Sequence, residues 1–168
     1  MTAPAGDQAR VSMLVRVPPA FAFRAFTEDV EQWWRRGQKF RVGARHGSIV
    51  HLEGGVGGRL FESFETSTGT KVHQTGKITA WEPPSRFAFE WRSPNYAAEE
   101  KTFVEVLFEE SASGTLVTVT HSGWSALRLD HPARHGEEAG VFLRRLGLWW
   151  GDQMTSLRLH VESAPQPA

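Results

Sequence analysis

The first pattern in the chain is a strand followed by two short helices. Apolar residues occupy every second position at Val11, Met13, Val15 and Val17. This alternation is typical of a β-strand with one buried face. Pro18 and Pro19 end the strand, because proline lacks the N–H of a ladder and suits the first turn of a helix. The stretches "AFAFRAF" and "TEDVEQWW" therefore predict two helices, with Thr27 as the N-cap of the second.

From residue 47 onward the pattern changes to strands separated by turns. Six runs qualify: "SIVHLE", "RLFESFET", "TKVHQTGKITAWE", "SRFAFEW", "KTFVEVLFEE" and "TLVTVTHSGW". Their short connections predict an antiparallel meander. "GGVGG" is interpreted as a turn, because it lacks the Lys-Ser/Thr of a phosphate loop. One face of three neighbouring strands is expected to point inward: Phe87, Phe89, Trp91, Val104, Val106, Phe108, Val117, Val119 and His121.

The C-terminal part has the period of a helix. From about residue 137 to 162, one apolar stripe contains Phe142, Leu146, Trp149, Trp150, Leu157 and Val161. Such a stripe requires an apolar surface to cover, and the sheet offers one. The pattern thus predicts an α+β protein in which a curved antiparallel sheet wraps around a long C-terminal helix. A single domain is expected at 10–162, with flexible tails at 1–9 and 163–168.

Composition excludes several functional classes. The 168 residues carry no formal net charge, so nucleic-acid binding is not expected. The basic residues Arg35, Arg36, Lys39, Arg41 and Arg45 are interpreted as solvated surface. The absence of cysteine excludes disulfides, thiolate metal sites and a cysteine nucleophile. No apolar run approaches the roughly 18 residues of a membrane span, and "MTAPAGDQAR" lacks a secretion signal. A cytoplasmic location is expected.

Candidate chemistry is confined to a few residues. Gln153 is the single polar residue on the apolar stripe, and leaving it buried and unpaired would cost about 1–3 kcal/mol. It is therefore expected to meet a partner from the sheet, a water molecule or a ligand. His121 and Glu62 are the candidates for an acid or a base, each with a structural role as the alternative.

Metal binding and cofactor binding are not predicted. His131 and His135 are four residues apart, but Pro132 separates them and no third ligand stands at a fitting distance. A nucleophile elbow and an oxyanion-hole motif are also missing from the sequence.

The order of the elements resembles the helix-grip fold of the START-like (SRPBCC) superfamily. The motifs that narrow this resemblance are "VRVPPAFAFRAFTEDVEQWW", "GGRLFE", "GKITAWEPPSRFAFEW" and "TLVTVTHSGW". In order and spacing they resemble the subfamily named after the activator of the heat-shock protein 90 ATPase. In this fold Pro83 and Pro84 are expected to form a corner between two strands rather than a catalytic motif.

The resemblance implies a cavity between sheet and helix that holds a small, mostly hydrophobic ligand. The residues expected to contact it are Trp34, Glu62, Phe89, Trp91, Val104, Phe108, His121, Leu146, Trp149, Trp150, Gln153 and Leu157. Two alternatives stay open: a cyclase or dehydratase that uses the same cavity, and a co-chaperone-like interaction module or stress-response regulator. For the latter, Val141, Leu148 and Leu159 could form a homodimer surface or bind another protein.

Overall fold

Seven strands form one curved antiparallel sheet in the computed structural model, which describes residues 7–128 and 130–163. The strands are β1 (Ala9–Val15), β2 (Ile49–Leu52), β3 (Arg59–Thr66), β4 (Gly69–Glu82), β5 (Arg86–Trp91), β6 (Thr102–Ser111) and β7 (Gly114–Ser122). Their order is β1-β7-β6-β5-β4-β3-β2. Each strand from β2 to β7 therefore pairs with its neighbour in the chain, and β1 closes the sheet against β7. The predicted meander is confirmed.

Three helices accompany the sheet: α1 (Pro19–Glu28), α2 (Val30–Trp33) and α3 (Ala139–Ser163). This arrangement confirms the predicted helix-grip fold. The prediction for Thr27 is wrong, because this residue lies in the last turn of α1. Its hydroxyl donates to the carbonyl oxygen of Phe23 at 2.8 Å instead of capping α2. None of the helices in the two described ranges combines the length and apolarity that crossing a membrane requires.

The ends of the fold differ in how far they are described. Residues 1–6 and 164–168, most of the two predicted tails, lie outside the described residues. Asp7 is described, and its carboxylate accepts hydrogen bonds from the backbone N–H groups of Gly123 and Ser125, each at 3.2 Å. These bonds hold the chain beside the end of β7, immediately before β1 begins at Ala9.

The concave face of the sheet carries side chains that were predicted to point inward. Phe89 lies opposite Val104, and Val104 lies opposite His121, on three adjacent strands. All three side chains are buried. Because paired residues share a face, the alternation in the sequence fixes which side chains point inward.

Helix α1 fills one half of the concave face. The rings of Phe23 and Phe26 pack against Phe87 and Phe108, with ring centroids 5.1–5.8 Å apart. This part is an apolar core. Any site between sheet and helix must therefore lie in the other half, towards α3.

Helix α3 covers that other half with its predicted stripe. The buried residues are Phe142, Trp150, Gln153, Met154, Leu157 and Val161, while Leu146 and Trp149 are partly buried. Met154 extends the stripe beyond the prediction. Pro83 and Pro84 lie between β4 and β5, which confirms the predicted corner.

Candidate functional site

Four tryptophans from three separate elements meet beside the phenylalanine core. Trp34 follows α2, Trp91 ends β5, and Trp149 and Trp150 lie on α3. All six pairs of these rings are in contact, with centroids 5.0–6.2 Å apart. We call this group the tryptophan cluster. It joins the strand, the helix and the segment after α2 at the position where the resemblance implied a cavity.

His121 lies against the tryptophan cluster, with its ring centroid 5.3 Å from that of Trp91. Its Nδ1 accepts the indole N–H of Trp150 at 3.2 Å, and its Nε2 lies 2.8 Å from the hydroxyl of Thr102. Because Nδ1 is an acceptor, the proton is on Nε2 and the imidazole is neutral. Burial lowers the pKa of His121 to about 3. The hydrogen-bonded chain continues from Thr102 to the hydroxyl of Tyr96 at 3.3 Å.

Gln153 is fully buried beside the tryptophan cluster. Its Oε1 accepts the backbone N–H of Arg35 at 2.9 Å. The partner of this oxygen is thus a backbone N–H of the segment after α2, and not a group of the sheet, a water molecule or a ligand as expected. The bond fixes which end of the amide is the donor. Its Nε2 has no acceptor among the described residues.

Residues 35–48, which we call the covering segment, connect α2 to β2 and bind the outer side of the tryptophan cluster. The indole N–H of Trp34 donates to the carbonyl of Phe40 at 3.1 Å, and that of Trp149 donates to the carbonyl of Lys39 at 2.8 Å. The ring of Phe40 also packs on Trp149, with centroids 5.5 Å apart. Two indole N–H groups and one ring therefore hold this segment over the cluster.

A buried arginine fixes the other end of the covering segment. Arg41 is 2% exposed and donates to the carboxylate of Glu31 at 2.9 Å. It also donates to the carbonyls of Trp34 at 2.6 Å and Ser48 at 2.8 Å. Glu31 in turn accepts the N–H of Val50 at 2.7 Å. The interpretation of Arg41 as solvated surface is therefore wrong: its guanidinium ties the segment to α2 and β2.

Glu62 binds the covering segment rather than the tryptophan cluster. Its carboxylate accepts the N–H groups of Val42 and Gly43, both at 2.9 Å, and the hydroxyl of Ser48 at 2.8 Å. The side chain is buried, with both oxygens in hydrogen bonds. Gly43 packs on the ring of Phe64, where a Cβ atom would collide with the ring. The fold thus brings Glu62 to a different place from the other predicted contact residues.

The remaining predicted residues lie at different depths behind the tryptophan cluster. Phe108 is in the core under α1, remote from the indole rings. Phe89 stands next to Trp91, with ring centroids 6.3 Å apart. The buried Val104 and Leu157 belong to the same core, and Leu146 packs against both this core and a second apolar group near the start of α3.

The two histidines of the "HPARH" stretch have different surroundings. His131 accepts the N–H of Ala133 on Nδ1 at 3.0 Å, and its Nε2 lies 2.9 Å from a carboxylate oxygen of Glu100. His135 is exposed. Within the described ranges, no three His, Cys, Asp or Glu side chains come together as metal ligands.

Two surface pockets lie away from the tryptophan cluster. Two pockets of about 180 and 210 Å³ lie on the surface, one lined by α1 around Phe21 and Arg24, the other beside Pro18 and Pro19. Neither is lined by a residue of the tryptophan cluster. Access to the cluster therefore requires the covering segment or the indole rings to move.

The neutral, buried state of His121 makes the stability dependent on pH. The unfolded chain binds a proton as the pH falls below the ordinary pKa of 6.5, whereas the folded chain does so only near pH 3. Stability from this residue is thus complete above pH 6.5 and is lost as the pH falls. Between pH 7 and 5 the loss is about 2 kcal/mol. In urea denaturation at several pH values, the free energy of unfolding should fall more steeply with decreasing pH in the wild type than in His121→Gln. The exposed variant His135→Gln should follow the wild type. Parallel pH profiles for wild type and His121→Gln would contradict the assignment.

Glu62 is expected to control the opening of the covering segment. In Glu62→Gln, one acceptor oxygen becomes an NH₂ group that faces N–H donors, which costs about 1–2 kcal/mol. The amides of Val42 and Gly43 should then exchange with solvent roughly 5- to 30-fold faster, while those of β5 and β6 keep their rates. Amide hydrogen exchange by NMR measures both. Glu65→Gln, an exposed change on the same strand, is the control, and equal rates in the two variants would exclude this role.

Comparison with known proteins identifies the fold and the family. The family model described as Activator of Hsp90 ATPase homolog 1-like protein matches residues 16–147. The structure of protein NE0264 from Nitrosomonas europaea is similar at 13% identity and a TM-score of 0.62, over 96% of this chain and 98% of that chain. The Aha1 dimer from Colwellia psychrerythraea is similar at 17% identity and a TM-score of 0.61, over 95% and 98%.

A third solved structure is DynU16, a protein of the dynemicin biosynthetic locus. It is similar at 18% identity and a TM-score of 0.63, over 94% of this chain and 48% of that chain. At these identities the similarity shows the fold alone. No curated protein matches the sequence. With the family match over most of its length and the helix-grip architecture described above, the chain belongs to the Activator of Hsp90 ATPase homolog 1-like family of the START-like superfamily.

Proposed function

We propose that the protein binds a small, mostly hydrophobic ligand between the sheet and α3, at the tryptophan cluster. The observation that carries this proposal is Gln153 Nε2, a buried N–H donor beside the tryptophan cluster that has no acceptor in the described part of the chain. Such a donor is costly unless something pairs with it. An apolar wall with one oriented polar group is the usual composition of a small-molecule site.

The aromatic rings supply the apolar part of the site. Each indole ring can bury about 150–250 Å². In the closed conformation the rings bury this area against one another. A ligand of aromatic or branched aliphatic character would replace ring–ring contacts by ring–ligand contacts, so the apolar area stays buried while Gln153 gains an acceptor.

The covering segment is the part of the wall suited to open. Its first half is held to the cluster by Gln153, Trp34 and Trp149 through the hydrogen bonds at Arg35, Phe40 and Lys39. Its second half is fixed by the buried side chains of Arg41 and Glu62 and by the partly buried carboxylate of Glu31. Movement of the first half about the fixed second half would expose the indole rings without unfolding the sheet.

The fold and one relative agree with small-molecule binding. The helix-grip fold of this family commonly binds hydrophobic ligands, and DynU16 comes from a biosynthetic locus. The enzyme alternative receives less support from the residues themselves. Both nitrogens of His121 and both oxygens of Glu62 are engaged within the protein, so neither offers a free position for proton transfer in this conformation.

Titration with 2-acetonaphthone tests the proposal, because this probe has two fused aromatic rings and one carbonyl acceptor. We expect it to quench the tryptophan fluorescence of the wild type saturably. Gln153→Leu removes the donor and should weaken binding roughly three- to tenfold, the value of one net hydrogen bond. Arg144→Gln, an exposed change on the same helix, is the matched control and should bind like the wild type.

A second probe separates the hydrogen bond from apolar burial. 2-Ethylnaphthalene has the same rings but no acceptor, so its affinity should be unaffected by the loss of the Gln153 amide. The role given to Gln153 would be contradicted if neither probe bound saturably to the wild type. It would also be contradicted if Gln153→Leu lost the same factor of affinity for both probes.

Protein interaction is a second candidate function, favoured by the outer face of α3. Val141, Leu148 and Leu159 are 54%, 66% and 61% exposed. Their spacings of 7 and 11 residues place them on one side of the helix. An exposed apolar stripe fits an interaction module, and the relative from Colwellia psychrerythraea is a dimer.

Light scattering measures this candidate directly. If the stripe joins two copies, the wild type should have about twice the 18.8 kDa chain mass, and Leu148→Ser should shift it towards the monomer. A wild type that stays monomeric at high concentration would remove the homodimer interpretation.

A further inference from the structure

A second buried group adjoins the tryptophan cluster near the start of α3. It consists of Tyr96, Trp124, Leu127 and Phe142, and Trp91 and Leu146 pack against both groups. The ring of His121 also touches both sides, since its centroid is 4.9 Å from Trp124 and 5.3 Å from Trp91. The two groups therefore share a wall.

This second group contains a buried arginine. Arg134 is 1% exposed, and its NH2 group donates to the carbonyl of Trp124 and, at 3.0 Å, to that of Leu127. Its Nε and NH1 groups have no acceptor among the described residues. Two backbone carbonyls hold the guanidinium in place without neutralising its charge.

The carboxylates near Arg134 in the chain are directed to other partners. Glu100 Oε1 lies 2.9 Å from the ring of His131 and accepts the N–H of Ala97 at 2.7 Å. Glu137 Oε1 pairs with Arg145, and its buried Oε2 has no partner. Across the described residues no ion pair with Arg134 is formed.

The unpaired groups in this part of the interior are mostly donors. Besides the two groups of Arg134, the indole N–H of Trp124 and Nε2 of Gln153 are buried without acceptors. A buried guanidinium without a counter-charge is unfavourable, and a carboxylate is the group that it pairs with best. A ligand oxygen anion would pair with the guanidinium of Arg134, and Gln153 would require a second acceptor.

We propose that the ligand is an apolar carboxylate, whose hydrocarbon body lies in the tryptophan cluster and whose carboxylate pairs with Arg134. This inference rests on the proposed binding function and names its ligand class. The wall shared by Trp91 and His121 makes the two positions parts of one site. Gln153 then meets a polar atom of the body, and Arg134 discriminates in favour of anions.

A matched pair of probes tests this inference. 2-Naphthoate and 2-acetonaphthone have the same rings and nearly the same shape, but only the first carries a negative charge. We expect the wild type to bind 2-naphthoate at least tenfold more tightly, and the preference should change little in 0.5 M salt because a pair with the buried Arg134 is poorly screened. In Arg134→Met the preference should fall to within twofold, while the affinity for 2-acetonaphthone is unchanged.

The outcomes separate the two proposals. If both probes bind equally to the wild type, the carboxylate inference is wrong and the ligand-binding function stands. Failure of both probes to bind would overturn the two proposals together.

If Arg134→Met does not fold, Arg134→Lys replaces it. The retained charge should preserve a several-fold preference for 2-naphthoate over 2-acetonaphthone. Glu137→Gln provides a further check: because Glu137 forms no ion pair with Arg134 among the described residues, this variant should keep the preference of the wild type. A preference that appears only in Glu137→Gln would show that the guanidinium is paired internally and would overturn the inference.

Discussion

The structure depends on how the apolar concave face of one sheet is covered. The face spans all seven strands, and a single helix does not cover it. Helix α1 inserts Phe23 and Phe26 over one half, and α3 places Trp149 and Trp150 over the other. Phenylalanine rings can be buried completely, whereas each indole also carries an N–H group that requires an acceptor. The half under α3 is therefore built from rings that need polar partners, and these partners set the properties of the site.

The polar partners explain why a loop becomes part of the interior. The covering segment supplies carbonyl oxygens to two indole groups and an N–H group to Gln153, while Arg41 and Glu62 keep its far end attached. Other buried N–H donors, at Gln153, Trp124 and Arg134, find no acceptor among residues 7–128 and 130–163. The satisfied groups hold the closed conformation, and the unsatisfied ones specify what a ligand must bring: an apolar body with oxygen acceptors.

Local patterns in the sequence were sufficient for the strands, the register and α3, because alternation and helical period are properties of neighbouring residues. They placed Phe89, Val104 and His121 correctly on one face. They failed where a contact joins distant segments. Arg41 stands in a basic run, and nothing local distinguishes it from its exposed neighbours. Gln153 was recognised as the unusual residue on its stripe, but its bond to Arg35 depends on the path of a loop. No local sequence pattern distinguished Arg134, since its burial arises from packing between the end of β7 and the start of α3.

The central claim is that the tryptophan-lined interior holds a small molecule through Gln153. Native mass spectrometry of the freshly purified protein, followed by denaturing extraction, tests this claim most directly. We expect the 18.8 kDa chain to carry one defined small-molecule adduct, which is released on denaturation and is less abundant in Gln153→Leu. A chain that carries no adduct, either as purified or after incubation with a library of lipids and aromatic acids, would contradict it.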